Sequence, residues 1–327
     1  MDFSSVQKRV LAVGDVNMDI IFTGLSGMPV SEQETLAQGM DTVVGGQAGT
    51  IARALARLGW NVTFVGRVGD DDFGMQALHA LVAAGIDIGG VVVDPALRTG
   101  ATVVLSTGTE RSYATFPGSI SEVRLSDVTS ALLSRADHLH VGSFFLLTAL
   151  RPDMRELLRE ARQRGLTTSM DPGWDPRGEW GNDIRAVIPF VDVFLPNEAE
   201  AMAITSTGTP EKALAALSGD ARTVVVKRGS NGCMAGNGDT TLRCPAFKVK
   251  AVDVTRAGDI FNAGFLHGFL NGWGLEESVT FAGACGAMSV SRTGSAGIMT
   301  GVEQVEEFLA LRGSEISVQT ITTGGRG

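Results

Sequence analysis

From one end to the other, short apolar runs alternate with stretches of helical periodicity. Val10 to Val13, Val62 to Val65, Leu139 to Val141, Val191 to Leu195 and Thr223 to Val226 read as strands, several of them apolar throughout. A strand with one wet face alternates in polarity, so a continuous apolar run is expected to be buried on both faces of a parallel sheet. Ala48 to Leu58 places Ile51, Ala54, Leu55 and Leu58 on one helical face and ends at Gly59, a stop signal. Pro152 to Arg164, Glu211 to Leu217 and Val302 to Leu311 carry similar patterns. This alternation predicts a doubly wound α/β fold.

Two insertions break the rhythm, at about 20–44 and 99–117. Both look like short antiparallel strands. The second has an alternating half, Ala101 to Ser106, a turn at Thr107 to Glu110, and a return from Ser112 to Phe116. Together they are expected to form a small sheet placed as a cover. Residues 1–327 otherwise read as one domain without repeat or linker. The stretch 313–327 is polar and ends in Gly-Gly-Arg-Gly, as expected of a mobile tail.

Composition excludes several classes of partner. The net charge is −9 and no Lys/Arg cluster occurs, so nothing would supply the counterion release that nucleic-acid binding needs. Met1 to Arg9 lacks the apolar segment of an export signal. The stretch from Val141 to Leu150 is too short and too interrupted to span a bilayer. Cys233, Cys244 and Cys285 are widely spaced, so buried reduced thiols and a cytoplasmic protein are expected.

The chemistry concentrates at Asp253-Val-Thr-Arg-Ala-Gly-Asp259. A strand-like stretch, Phe247 to Val252, leads into this turn, and an amphipathic helix follows. The amides of Ala257, Gly258 and Asp259 would point out of the helix start, where the dipole is positive. Such an end is an anion cradle. A carboxylate inside it repels an anionic ligand, yet suits a base that takes a proton from a hydroxyl attacking phosphorus. The segment therefore points to phosphoryl transfer to an alcohol.

Four further clusters are weaker alone. Gly45, Gly46 and Thr50 open a helix, as a ligand-approach loop or an ordinary turn would. Asn17 and Asp19 alternate after the first strand and could face one pocket, or lie in a solvated turn. Asn197 and Glu200, three apart, could hold a hydrated Mg2+, although a capping box is the favoured reading in isolation. Lys227, Gly229 and Gly232 make either a hairpin turn or a wall of a nucleotide site. His138 and His140 share a strand face with no acidic or thiol partner nearby and read as core residues. Asp70 to Asp72 reads as a solvated loop. No GxxxxGK[ST] loop and no strand-linked GxGxxG is present.

In this order, the segments resemble the PfkB/ribokinase family of carbohydrate and nucleoside kinases from Val10 to about Phe308. Gly45-Gly46 through Gly59 is similar to the N-terminal signature, Asp253 to Asp259 to the C-terminal one, and Ser291 to Gly294 to the closing segment. The resemblance implies a Rossmann-like three-layer α/β/α core with a small β-sheet lid, ATP as donor and Mg2+. It implies Asp259 as base and Ala257, Gly258 and the Asp259 amide as anion hole. It puts Asn17, Asp19, Gly45, Gly46 and Thr50 at the acceptor and Lys227, Gly229, Gly232, Gly258 and Gly294 at the nucleotide. Asn197 and Glu200 would organise the metal. Asp253 and Thr255 match positions that bind a monovalent cation, K+, in some members.

Two residues depart from the pattern. Arg256 stands where Gly, or sometimes Ala, is usual, and a positive φ there would strain it by ~1–3 kcal/mol. It could instead reach the triphosphate. Thr50 replaces the usual Asn. The expected activity is ATP-dependent phosphorylation of a sugar hydroxymethyl group. Alternatives are a nucleoside kinase stacking its base on Tyr113, Phe116, Phe144 or Phe145, a phosphosugar kinase using Arg98 or Arg111, and a catalytically weak sugar-binding protein. The exposed edges of a small lid sheet suggest a homodimer joined through it.

Overall fold

The first strand, β1 (Arg9–Val13), shows how the layers arise. Val10 and Ala12 enter one buried cluster while Leu11 and Val13 enter another. Side chains alternate along a strand, so apolar residues at successive positions oblige both faces of the sheet to be covered. The computed structural model describes residues 8–107, 110–238, 240–291 and 301–321.

The strands after β1 are β2 (Asn17–Thr23), β3 (Gly39–Gly45), β4 (Asn61–Gly69), β5 (Asp87–Asp94), β6 (Ala101–Ser106) and β7 (Arg111–Phe116). Then come β8 (His138–Val141), β9 (Thr167–Met170), β10 (Val193–Phe194), β11 (Thr223–Lys227), β12 (Cys233–Asn237), β13 (Thr240–Cys244) and β14 (Gln319–Ile321). Among the described residues the main sheet has the order β14-β13-β12-β11-β10-β9-β8-β1-β4-β5. From β11 to β5 the neighbours are parallel, and β12, β13 and β14 add antiparallel at one edge.

One face of this sheet is covered by α1 (Gln47–Arg57) and α2 (Asp72–Ala83). The other carries α3 (Ser130–Leu133), α4 (Met154–Gln163), α5 (Asn182–Val187), α6 (Glu198–Thr205) and α7 (Pro210–Leu217). The chain then returns to the first face with α8 (Ala257–Leu270), α9 (Leu275–Val290) and α10 (Val302–Arg312). The result is the three-layer α/β/α core expected from the alternation of runs. Asp71, read from the sequence as part of a solvated loop, caps α2 through the Gly74 amide and accepts from both the amide and the hydroxyl of Thr99. It thereby ties α2 to the chain entering β6.

A second sheet has the order β3-β2-β6-β7 and is built from the two insertions. Its β2 runs antiparallel to β3 and parallel to β6. Three details depart from the sequence reading. Phe247 to Val252 is not a strand: among the described residues it pairs with no strand, and the Val252 and Asp253 amides bond the Val290 carbonyl instead. The segment from Gly313, expected to be mobile, contributes β14, which pairs with β13; 322–327 lie outside the described residues. Phe144 and Phe145 are fully buried and packed edge to face, so they offer no stacking surface to a ligand.

His138 and His140 are core residues as expected. Hydrogen bonds of 2.7–2.8 Å link His138 to Thr167 and Ser169, and His140 to Ser169. The three cysteines are buried and free. No helix among the described residues is long and apolar enough to cross a membrane.

Candidate active site

Residues from several separate chain segments meet around the start of α8. Arg256 is the residue before the helix, and its backbone is left-handed, φ 65° and ψ 2°. The strain foreseen for a non-glycine residue here is therefore present, at about 1–3 kcal/mol. The left-handed turn lets the chain enter α8 abruptly. The Ala257 amide bonds the Val254 carbonyl at 3.3 Å, so it is partly used. The amides of Gly258 and Asp259 have no protein acceptor among the described residues. The cradle thus consists of two open amides where three were expected.

Asp259 is half-buried in the first turn of α8. Burial pushes its pKa well above the usual carboxylate value, and neighbouring Asp171 adds to the rise; Lys227 and Arg256 only partly oppose it. A Cβ at Gly258 would meet nothing closer than the Lys227 side chain, at 3.8–3.9 Å. The protein itself leaves that space open.

Beside Asp259 lies a charged cluster that the sequence reading did not assemble. Lys227, at the end of β11, donates to Asp171 Oδ2 at 2.5 Å, and Asn262 of α8 donates to the same oxygen at 2.5 Å. Asp171 is wholly buried. Burial alone would lower the Lys227 pKa, but Asp171, Glu200 and Asp259 outweigh it and raise it. Asp171 directly follows β9, so the strand-end rule that picked out Asn17 and Asp19 would also have found it.

Asn197 and Glu200 form a reciprocal capping box on α6: the Glu200 amide donates to Asn197 Oδ1 at 2.9 Å, and the Asn197 amide donates to Glu200 Oε2 at 2.8 Å. The structural reading of this pair is therefore correct, and one Glu200 oxygen stays out of the box. Burial, followed by repulsion from Asp171, pushes the Glu200 pKa up to about 7. Asp171 bonds the Lys227 ammonium directly while Glu200 and Asp259 act on it through their charge, an excess of carboxylates that fits a divalent cation. Among the described residues no three candidate ligands converge as a metal cage, so such a cation would keep its water shell.

On the other side of α8, the small sheet meets α1. Asn17 and Asp19 face the same way along β2; Asn17 Nδ2 donates to Asp19 Oδ1 at 3.1 Å and to Thr102 Oγ1 at 2.9 Å. Gly45 pairs with Asn17 across the β2–β3 ladder, and a Cβ there would sit 2.2 Å from Asp19 Oδ2. Gly46 caps α1 with φ 86°, where a Cβ would strike the Asp15 carbonyl oxygen at 2.6 Å. Asp15, also absent from the sequence reading, accepts from the Gln47 and Ala48 amides at 2.9 Å and fixes the start of α1. Thr50 is fully buried in α1 and its hydroxyl has no partner among the described residues.

Arg256 reaches toward this side: its Nε lies 3.9 Å from Asp19 Oδ2. Burial raises the Asp19 pKa to about 6 against the pull of Arg256 and the bond from Asn17. Arg111 of β7 crosses from the small sheet and donates to Thr255 Oγ1 at 2.6 Å and to Asp253 Oδ1 at 3.2 Å. A monovalent cation at Asp253 and Thr255 would have to share that carboxylate with a resident guanidinium, a poor fit. Gly229 (φ 52°) and Gly232 (φ 80°) bound the turn between β11 and β12, just beyond Lys227. Gly294 lies outside the described residues.

Residues 7–300 match the pfkB family of carbohydrate kinases. The chain belongs to that family. It is 31% identical over 306 residues to the ATP-dependent ribose-1-phosphate kinase of Halopiger xanaduensis, covering 93% of this chain and 99% of the relative. A ribokinase from Thermotoga maritima superposes with a TM-score of 0.78 at 27% identity, covering 93% of this chain and 99% of that one. A Vibrio cholerae fructokinase, solved with fructose, ADP and potassium ion, superposes with a TM-score of 0.76 at 26% identity, covering 93% and 98%. The family assignment agrees with the resemblance read from the motifs. The mixed sheet and the small second sheet are the architecture it implied.

Proposed function

We propose that the protein transfers the γ-phosphoryl group of ATP to a hydroxymethyl group of a sugar or sugar-like alcohol. The observation that carries this reading is the carboxylate of Asp259 in the first helical turn, beside two amides left without a protein acceptor. Asn17, Asp19, Gly45, Gly46 and Thr50 form the acceptor side. Lys227 and the turn from Gly229 to Gly232 lie toward the nucleotide. Asp259 orients the acceptor hydroxyl and takes its proton as the oxygen attacks phosphorus in line. The Gly258 and Asp259 amides stabilise charge on the equatorial oxygens. Magnesium, when bound, would be held near Glu200 and Asp171 through water and would neutralise charge on the phosphates. No step is assigned to potassium.

The small sheet acts as a lid in this scheme. Arg111 links it to the chain that enters α8, so closure over the acceptor and the geometry at Asp259 are mechanically joined. Closing the site excludes water and limits ATP hydrolysis. A cytoplasmic location, with its supply of ATP and reducing conditions, suits the buried free thiols.

The test is ADP release from Mg·ATP across pentoses, ketohexoses, aldohexoses, phosphosugars and nucleosides, with and without K+. Turnover of at least one sugar is expected; silence over the whole panel would overturn the reading. The base must be ionised, and its pKa is raised. Accordingly kcat/KM should climb with pH along an acid limb that lies well above the ordinary carboxylate range. A profile flat through that region would remove Asp259 from the role of base.

We further propose a homodimer joined through the lid. Its edge strand β7 is exposed along nearly all its length and β3 at its middle, and Met40, Tyr113 and Phe116 are more than half exposed. A second copy would cover this surface. Small-angle scattering is expected to return twice the chain mass of 34.2 kDa. A monodisperse monomer at assay concentration would reject the dimer.

A further inference from the structure

The side chain of Arg256 is only 7% exposed, yet its Nε and Nη2 are buried with no hydrogen-bond partner among the described residues. A buried cationic donor left unpaired is destabilising, which calls for an explanation. Asp19 does not supply one, since 3.9 Å is beyond hydrogen-bond reach. Nor is Arg256 needed to open the left-handed turn; glycine adopts that backbone without strain.

The surroundings narrow what the guanidinium can receive. Arg53 of α1 is buried nearby, its Nη2 bonded to the Val44 carbonyl at 2.7 Å and its Nε to the Gly49 carbonyl at 3.3 Å. Burial and then the proximity of Arg256 lower the Arg53 pKa to about 10, so two guanidinium groups share one poorly solvated region. Two neutral oxygens of the acceptor side, Asn17 Oδ1 and Thr50 Oγ1, are also buried without partners among the described residues. Such a set suits a ligand with hydroxyl groups and an oxyanion. The nucleotide side already has its cation in Lys227, whose ammonium would lie 3.9 Å from a Cβ at Gly258. Of the two basic candidates near the lid, Arg98 is exposed and Arg111 is engaged by Asp253 and Thr255.

We infer that the acceptor is a sugar already carrying an oxyanion, a phosphate or a carboxylate, and that Arg256 binds that group. This rests on the kinase reading above. The planar fork of arginine matches either oxyanion, and low dielectric strengthens the pair. Arg256 then acts as a specificity-determining residue, while the hydroxymethyl chemistry at Asp259 is unchanged.

The experiment measures ADP release at saturating Mg·ATP with neutral sugars, the corresponding sugar phosphates and sugar acids, for wild type, Arg256→Gly and Arg256→Lys. Wild type should favour one anionic class over its neutral parents, and the two anionic arms show which oxyanion is read. Arg256→Gly should reduce that preference by about 10- to 100-fold, the range of a hydrogen bond to a charged group, through KM for the acceptor. Arg256→Lys should recover part of it. Glycine suits φ 65°, so the melt of Arg256→Gly checks that any loss is not unfolding. A wild type that prefers neutral sugars overturns the inference and leaves the kinase reading standing. So does an Arg256→Gly variant whose KM for ATP rises equally with every acceptor. No ADP release from any acceptor would instead strike the kinase reading, and the inference with it.

Discussion

Asp259→Asn is expected to bind Mg·ATP with near-native affinity and to turn over about 10²–10⁴-fold more slowly, the usual contribution of a positioned base. The substitution keeps the shape of the side chain and the open amides of Gly258 and Asp259, so the anion cradle survives. It removes the carboxylate of the first turn of α8. Charge at position 259 is already disfavoured by burial and by Asp171. The neutral amide should therefore leave the folded state at least as stable as wild type, which separates a catalytic loss from a folding loss. Calorimetric titration with ATP, a thermal melt and steady-state kcat form the complete test. Turnover within threefold of wild type would show that the proton goes elsewhere.

The second large effect concerns stability. Lys227→Met should lower the free energy of unfolding by about 3–5 kcal/mol, the cost of leaving one member of a buried ion pair behind. The Lys227 side chain is 12% exposed and Asp171 is fully enclosed, so solvent cannot replace the ammonium. Only the Asn262 amide would still bond the stranded Asp171 Oδ2, with Glu200 and Asp259 close enough to repel. The melting temperature should fall by roughly 5–15 °C for a chain of this size. Adding Asp171→Asn should restore much of the loss, because the stranded charge is then gone. A Lys227→Met protein melting within a degree of wild type would mean that the lysine serves ligands alone.

Much of the core was legible because its signals are local. Continuous apolar runs such as Val10 to Val13 and Thr223 to Val226 demand cover on both faces, and they receive it. Alternation over Ala101 to Ser106 identified a strand of the small sheet. The failures came where a local signal needed a distant partner. Phe247 to Val252 has strand-like residues, yet it pairs with no strand among the described residues. Gln319 to Ile321 is unremarkable in sequence and becomes a strand because β13 offers an edge.

The candidate site divides in the same way. Sequence alone determined the residue types and their order: Asn17 and Asp19 after one strand, Gly45 and Gly46 before a helix, Lys227 at a strand end, Arg256 to Asp259 at a helix start. Local backbone chemistry sets these positions, whereas the positive φ of Arg256 runs against local preference and is held by the surrounding fold. Only the tertiary structure decided which charges meet. Lys227 faces Asp171, Arg111 faces Asp253, and Arg256 turns toward Asp19. Coulomb energy depends on separation in space and on how much water remains between the groups. Both are set by the packing of strands and helices far apart in the chain, so neither can be read along it.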